Sequence, residues 1–159
     1  MSAGISNRLA EARPYSYRVD ASVPPFPDDK VLVVFDGVCV LCSGFAKFIL
    51  KRDRDFAFRL ATAQSPLGQA LYRHYGLDTR EFETNLVIAD GRPNAKLDSV
   101  AAVGLRLGGF WRSLALLRLI PRPIGDWLYD RIARNRYALF GRTDSCMMPP
   151  PEWRERFIE

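Results

Sequence analysis

Cys39 and Cys42 stand with two residues between them, directly after an apolar run, Val31–Phe35, and an Asp36-Gly37 turn. The stretch after them carries Leu41, Phe45, Phe48 and Ile49 at the spacing of one helix face. The segment therefore reads as a buried strand, a tight turn and a helix whose first turn holds C-x-x-C. Helix N-termini present unpaired N–H groups and partial positive charge, both of which stabilise a thiolate. The thiolate is the form of cysteine that attacks disulfides or binds metals.

Three kinds of chemistry fit these residues. The pair can be a dithiol–disulfide couple, in which the second thiol resolves a mixed disulfide formed by the first. It can supply half of a zinc site, but only distant Cys146 and the lone His74 could complete the shell. It can also be two inert, packed thiols. Asp36, three residues before Cys39, either shapes the turn with Gly37 or accepts a proton from Cys42. The string V-V-F-D-G-V is similar to the phosphatase motif D-x-D-G-[TV], but Val34 occupies the place of the nucleophilic aspartate, so that chemistry is excluded.

D-G-V-C-V-L-C resembles the D-x-x-C-x-x-C motif of the DCC family of thiol-disulfide oxidoreductases. The stretch D-W-L-Y-D-R-I-A-R-N-R-Y-A-L-F-G, followed by Cys146, resembles that family's second block, so the likeness spans roughly residues 30–146. It implies a thioredoxin-like α/β fold and thiol-disulfide exchange with a disulfide- or thiol-containing protein or a small thiol. It calls for no cofactor and no metal. Proteins of that fold usually place a cis-proline before the strand facing C-x-x-C. Here the matching loop, Phe82-Glu-Thr-Asn85, has no proline, and Thr84 takes its place. Gly37 and Thr84 are the candidate substrate-binding positions, beside the candidate catalytic residues Cys39, Cys42 and Asp36. Cys146 matches the family's C-terminal cysteine and is expected to stay reduced while the other two oxidise.

Composition narrows the class. The 159 residues suit one domain, and three cysteines are too few for a secreted disulfide framework. The N-terminus has no secretory h-region, and Leu114–Ile120, broken by Arg118, is too short to span a bilayer. The expected setting is the cytoplasm. The net charge of +5 gathers in Arg118, Arg122, Arg131, Arg134, Arg136 and Arg142. No nucleic-acid motif accompanies them, so solvated faces or an acidic partner are favoured over nucleic acid. The run Arg134-Asn-Arg-Tyr137 either ties a helix to the core or lines the cleft and lends positive charge to the thiolate.

The elements that must position this chemistry follow from pattern. Residues 1–29, proline-rich and without period, read as an extended N-terminal arm; the thioredoxin-like domain covers 30–146 and a tail covers 147–159. Phe56–Leu60 alternates as a strand, and Ser65-Pro66 starts a helix carrying Leu67, Leu71 and Tyr75, ended by Gly76. His74, at that helix end, reads as a surface residue. Leu86–Ala89 is a strand, Asp90-Gly91 a turn, and Ala95–Leu97 an edge strand, with Ser99 capping the next helix. The order is β-α-β-α-β-β-α, the thioredoxin/glutaredoxin-like core, followed by two appended helices near 110–120 and from 124, the second with an Asp130–Arg134 pair. Strands linked through helices are expected to run parallel. Cys39, nearest the helix terminus, is expected to be the exposed attacking thiolate and Cys42 the less accessible partner.

Overall fold

Val31–Phe35 forms β1, and all five of its residues are buried. The structure, a computed structural model, describes residues 2–82, 84–145 and 147–158. A strand apolar on both faces belongs inside a sheet. β1 lies between β2 (Phe58–Thr62) and β3 (Leu86–Ala89), with β4 (Arg92–Ala95) outside β3, giving the order β2-β1-β3-β4. Leu32 and Val34 join one core cluster, while Val31, Val33 and Phe35 join the other, as the two-residue period of a strand requires.

Helices cover both faces. α1 (Ser2–Ala10) and α3 (Pro66–His74) bury Leu9, Leu67, Leu71 and Tyr72 on the Leu32 face. α2 (Val40–Arg52) and α4 (Lys96–Leu107) bury Ala46, Ile49 and Val103 on the Phe35 face. A 3-10 run, Gly109–Leu119, and α5 (Arg122–Phe140) are the two appended elements. This mixed α/β architecture is that of a thioredoxin-like domain. α3 begins as its sequence suggests: the Ser65 hydroxyl accepts from the Gly68 N–H at 3.0 Å, with Pro66 in the first turn.

The strand directions correct one expectation. β1 and β2 are parallel, but β3 is antiparallel to β1, with Val34 opposite Leu86 and Leu32 opposite Ile88. After α3, residues 75–85 form a connection long enough, at about 3.3 Å per residue, to cross the sheet and enter β3 from the other end. The consequence is functional. Carried two steps past its Val34–Leu86 pair, that register sets Asn85 opposite Phe35 and Thr84 opposite Asp36, where the dithiol turn begins.

Other boundaries move for local reasons. Asp90 and Gly91 both have positive φ, 52° and 76°, the mark of a two-residue hairpin loop. The return strand therefore pairs at once, Ala89 with Arg92, and α4 starts at Lys96 instead of after Ser99. On α2 the sheet-facing residues are Cys42, Ala46, Ile49 and Leu50; Leu41, Phe45 and Phe48 lie on its flank, where Phe48 meets Trp111 edge-on at 4.8 Å. Asp130 pairs with Lys96 on α4 at 2.8 Å, not with Arg134.

The expected extended arm contains α1 and a 3-10 turn, Ser16–Val19, and buries Leu9, Tyr17 and Val23 against the sheet. Arg18 makes a two-point contact with Asp28 at 2.8 and 2.9 Å. His74 binds Ser16 at 2.9 Å and Asp20 at 2.6 Å, so it clamps this segment to α3 rather than facing solvent. At the other terminus, the Ile158 N–H donates to the Leu60 carbonyl at 2.8 Å, and Phe157 packs edge-on against Phe35. The tail thus covers the outer edge of β2, which would otherwise expose unpaired backbone groups.

Candidate active site

β1 delivers the chain to Asp36 and Gly37 at the C-terminal end of the sheet, and α2 leaves from there. Cys39 is the N-cap of α2, and its sulfur accepts the Cys42 N–H at 3.4 Å. Both cysteines are unbridged thiols. Hydrogen bonding from the Cys42 thiol is the main influence pulling the Cys39 thiol down to about 6. Burial opposes this, while the Cys42 N–H and the Arg136 charge assist it. The same thiol–thiol bond, together with burial, pushes Cys42 far up. The arrangement holds one proton on Cys42 and negative charge on Cys39.

Accessibility runs against expectation. Cys39 is fully buried and Cys42 is 8% exposed. A strap in which residues 141–145 and Met147 are described covers Cys39. The Val40 N–H donates to the Gly141 carbonyl at 3.3 Å, the Thr143 N–H to the Val38 carbonyl at 2.8 Å, and the Met147 N–H to the Gly37 carbonyl at 2.8 Å. Arg142 forms a backbone bridge with Cys39 itself. Gly37 is consequently buried, its carbonyl taken by Met147 and its N–H donated to Gln64 at 3.0 Å.

Asp36 is 1% exposed, and its carboxylate is the hub of the site. It accepts from the Val38 N–H at 3.1 Å, closing the turn, from Gln64 at 2.6 Å, from Arg136 at 3.1 Å and from the Tyr137 hydroxyl. Burial alone would raise its pKa; these donors, Tyr137 foremost, outweigh burial and hold the carboxyl below its usual range. Arg136, 4% exposed, also donates to the carbonyls of Ala133 and Glu81. Its guanidinium influences both thiols. Of the two readings of Arg134-Asn-Arg-Tyr137, the cleft reading fits Arg136 and Tyr137, while Arg134 is exposed. Gln64 was not legible as a site residue: it follows β2, and only the parallel β1–β2 register brings it to the turn.

Thr84 shares a groove with Cys42. Its hydroxyl donates to the Asn85 carbonyl at 2.9 Å and accepts from the Lys96 N–H at 2.8 Å, so the side chain is committed internally. His74 lies in the Ser16–Asp20 clamp and does not join the thiols. Cys146, with the expectation attached to it, lies outside the described residues. Among the described residues no group of three or more His, Cys, Asp or Glu side chains is placed to hold a metal. No helix among them is long and apolar enough to cross a membrane.

Residues 33–142 match the family model described as DCC1-like thiol-disulfide oxidoreductase. The chain is 39% identical over 127 residues to the uncharacterized protein YuxK of Bacillus subtilis, covering 80% of this chain and 93% of that one. It is 33% identical over 120 residues to the DCC family protein At1g52590, chloroplastic, of Arabidopsis thaliana, covering 75% of this chain and 70% of that one. No solved structure matches it significantly.

Proposed function

Because this chain belongs to the DCC1-like thiol-disulfide oxidoreductase family, we propose that its thiol-disulfide redox role is carried by Cys39 and Cys42, cycling between dithiol and disulfide. The observation that supports this most is the contact at the α2 N-terminus, where the Cys39 sulfur accepts the Cys42 N–H. In the reductive direction the Cys39 thiolate bonds one sulfur of a substrate disulfide, and the substrate S–S bond breaks. The first product departs as a thiolate. Cys42 then gives its proton to that leaving sulfur and bonds Cys39, which releases the second product. The pair loses two electrons and the substrate gains them; the reverse sequence oxidises a dithiol.

Asp36 acts as a positioning residue in this scheme. Its oxygens are occupied by four donors, and its lowered pKa makes it a poor acceptor for the Cys42 proton. It holds Arg136, whose charge favours the thiolate. Cys39 must be uncovered before it can attack, so the strap contacts of Gly141, Arg142, Thr143 and Met147 open during turnover. A reducing compartment such as the cytoplasm would return the pair to the dithiol.

Complete burial of Cys39 favours one second reading, a redox-inactive interaction module on the same scaffold. Thiol counting separates the two. Reversible loss of two thiols on mild oxidation, with Cys42→Ser trapping a mixed disulfide and Cys39→Ser inactive, supports exchange. Thiols that stay inert to every disulfide oxidant support the module.

A further inference from the structure

A groove of about 520 Å³ opens beside the dithiol, within the size range of small-ligand sites. The floor comes from the core, through Cys42 and Phe45 of α2 and the Thr84–Asn85 loop. The opposite wall is supplied by the appended elements, with Leu117 from the 3-10 run and Ile132 among the α5 residues. Leu128, Ile132 and Phe140 on its rim are 42%, 49% and 47% exposed, large apolar side chains left partly in water around one opening.

Two features restrict what this groove can hold. The first concerns backbone pairing, by which extended peptides usually dock. The Thr84 carbonyl already accepts the Tyr72 hydroxyl at 2.5 Å, and the Asn85 N–H already donates to the Tyr129 hydroxyl at 3.2 Å. The Asn85 N–H is thus not free to pair with a substrate strand, and the Thr84 carbonyl is already engaged within the domain. The second concerns charge. Among the described residues Arg136 is the one charged residue lining the groove, and Asp36 neutralises it at 3.1 Å. Its Nε–H is buried and without a partner among the described residues. An N–H left over on a guanidinium whose charge is already neutralised suits a neutral carbonyl; it does not balance a carboxylate.

We propose that the groove is the substrate site and that the substrate is a small, uncharged disulfide or thiol with an apolar body and a neutral carbonyl, rather than a polypeptide or a charged tripeptide thiol. The proposal rests on the exchange reading above. The apolar body occupies the wall formed by the 3-10 run and α5, the carbonyl accepts from Arg136, and the sulfur meets the pair at its Cys42 end. Phe140 lines the groove and is followed directly by Gly141, so displacement of the strap extends the groove from Cys42 to Cys39. The Cys39–Cys42 bond forms as the substrate S–S bond breaks. One product sulfur takes the Cys42 proton and the other takes one from water.

The test uses the reduced full-length protein and three acyclic disulfides: N,N′-dihexanoylcystamine, its diacetyl counterpart and glutathione disulfide. Rates of Cys39–Cys42 bond formation are read by acid quench and mass spectrometry, each divided by the rate of the same disulfide with free 2-mercaptoethanol. The hexanoyl compound should react at least about tenfold faster than the acetyl one, and faster still than glutathione disulfide. Ile132→Glu, a change at a half-exposed position on the groove wall, should remove the chain-length preference. Leu139→Glu, on the same helix, 67% exposed and outside the groove lining, should keep the preference. Equal hexanoyl and acetyl rates, a glutathione rate matching the hexanoyl rate, or an unaltered preference in Ile132→Glu would overturn the groove assignment and leave exchange standing. Failure of all three disulfides to oxidise the pair would overturn the exchange reading, and this inference with it.

Discussion

At the scale of single residues, the site separates two identical thiols by their partners. Cys39 receives an N–H, a thiol proton and the Arg136 field; Cys42 donates its proton and is raised. Alkylation of Cys39 should therefore rise with pH about a midpoint near 6 and level off above neutrality, while Cys42 stays unreactive there. Iodoacetamide rates with site-resolved mass spectrometry measure this, and faster labelling of Cys42 at neutral pH would reverse the roles. Asp36 raises the Cys39 pKa, so Asp36→Asn should move that midpoint lower. The same change leaves Arg136 buried with no carboxylate, and should cost about 3–5 kcal/mol near neutral pH. The folded pKa of Asp36 is depressed, so its contribution is present above the unfolded value of about 3.9 and fades as pH falls through the folded one. Urea midpoints of the two proteins should converge below pH 4.

At the scale of elements, the strap over Cys39 is held by a few backbone hydrogen bonds and turns at Gly141, whose φ is 97°. A side chain there is strained whatever the surrounding space. Gly141→Ala should weaken the strap by about 1–2 kcal/mol and raise Cys39 alkylation several-fold, with the global unfolding midpoint little changed. If the strap does not limit access, labelling will be the same in both proteins. α5 enters the site by a similar logic of short contacts. Ala133, Arg136 and Tyr137 turn to the core, and the buried Lys96–Asp130 pair joins α5 to α4.

For the whole molecule, described residues of both terminal segments are part of the packed structure. Leu9, Tyr17 and Val23 are buried on one face, and the tail covers the β2 edge on the other side. At about 1.5–3 kcal/mol for each buried side chain, removing residues 1–27 should destabilise the protein by about 5 kcal/mol. A truncated chain with an unchanged urea midpoint would mean that the segment contributes nothing to stability. The N-terminal segment and the appended elements therefore act on opposite sides of the site: one supports the sheet, and the other supplies the wall and the charge at the dithiol.

Much of the site was written in local pattern. β1, the Asp-Gly turn, the cysteine spacing and the Ser65-Pro66 helix start are all properties of adjacent residues, so periodicity and capping chemistry disclosed them. The family likeness was carried by the same short strings. What lay beyond the sequence depended on distant residues meeting. The direction of β3 turned on how an eleven-residue connection crosses the sheet. Gln64 and Tyr137 reach Asp36 across 28 and 101 positions. Burial of Cys39 arises from a strap about a hundred residues away, and the N-terminal segment hides three buried side chains at positions 9, 17 and 23, without period. Local sequence sets which residues can do chemistry; accessibility, charge balance and the shape of the groove come from contacts that only the folded chain creates.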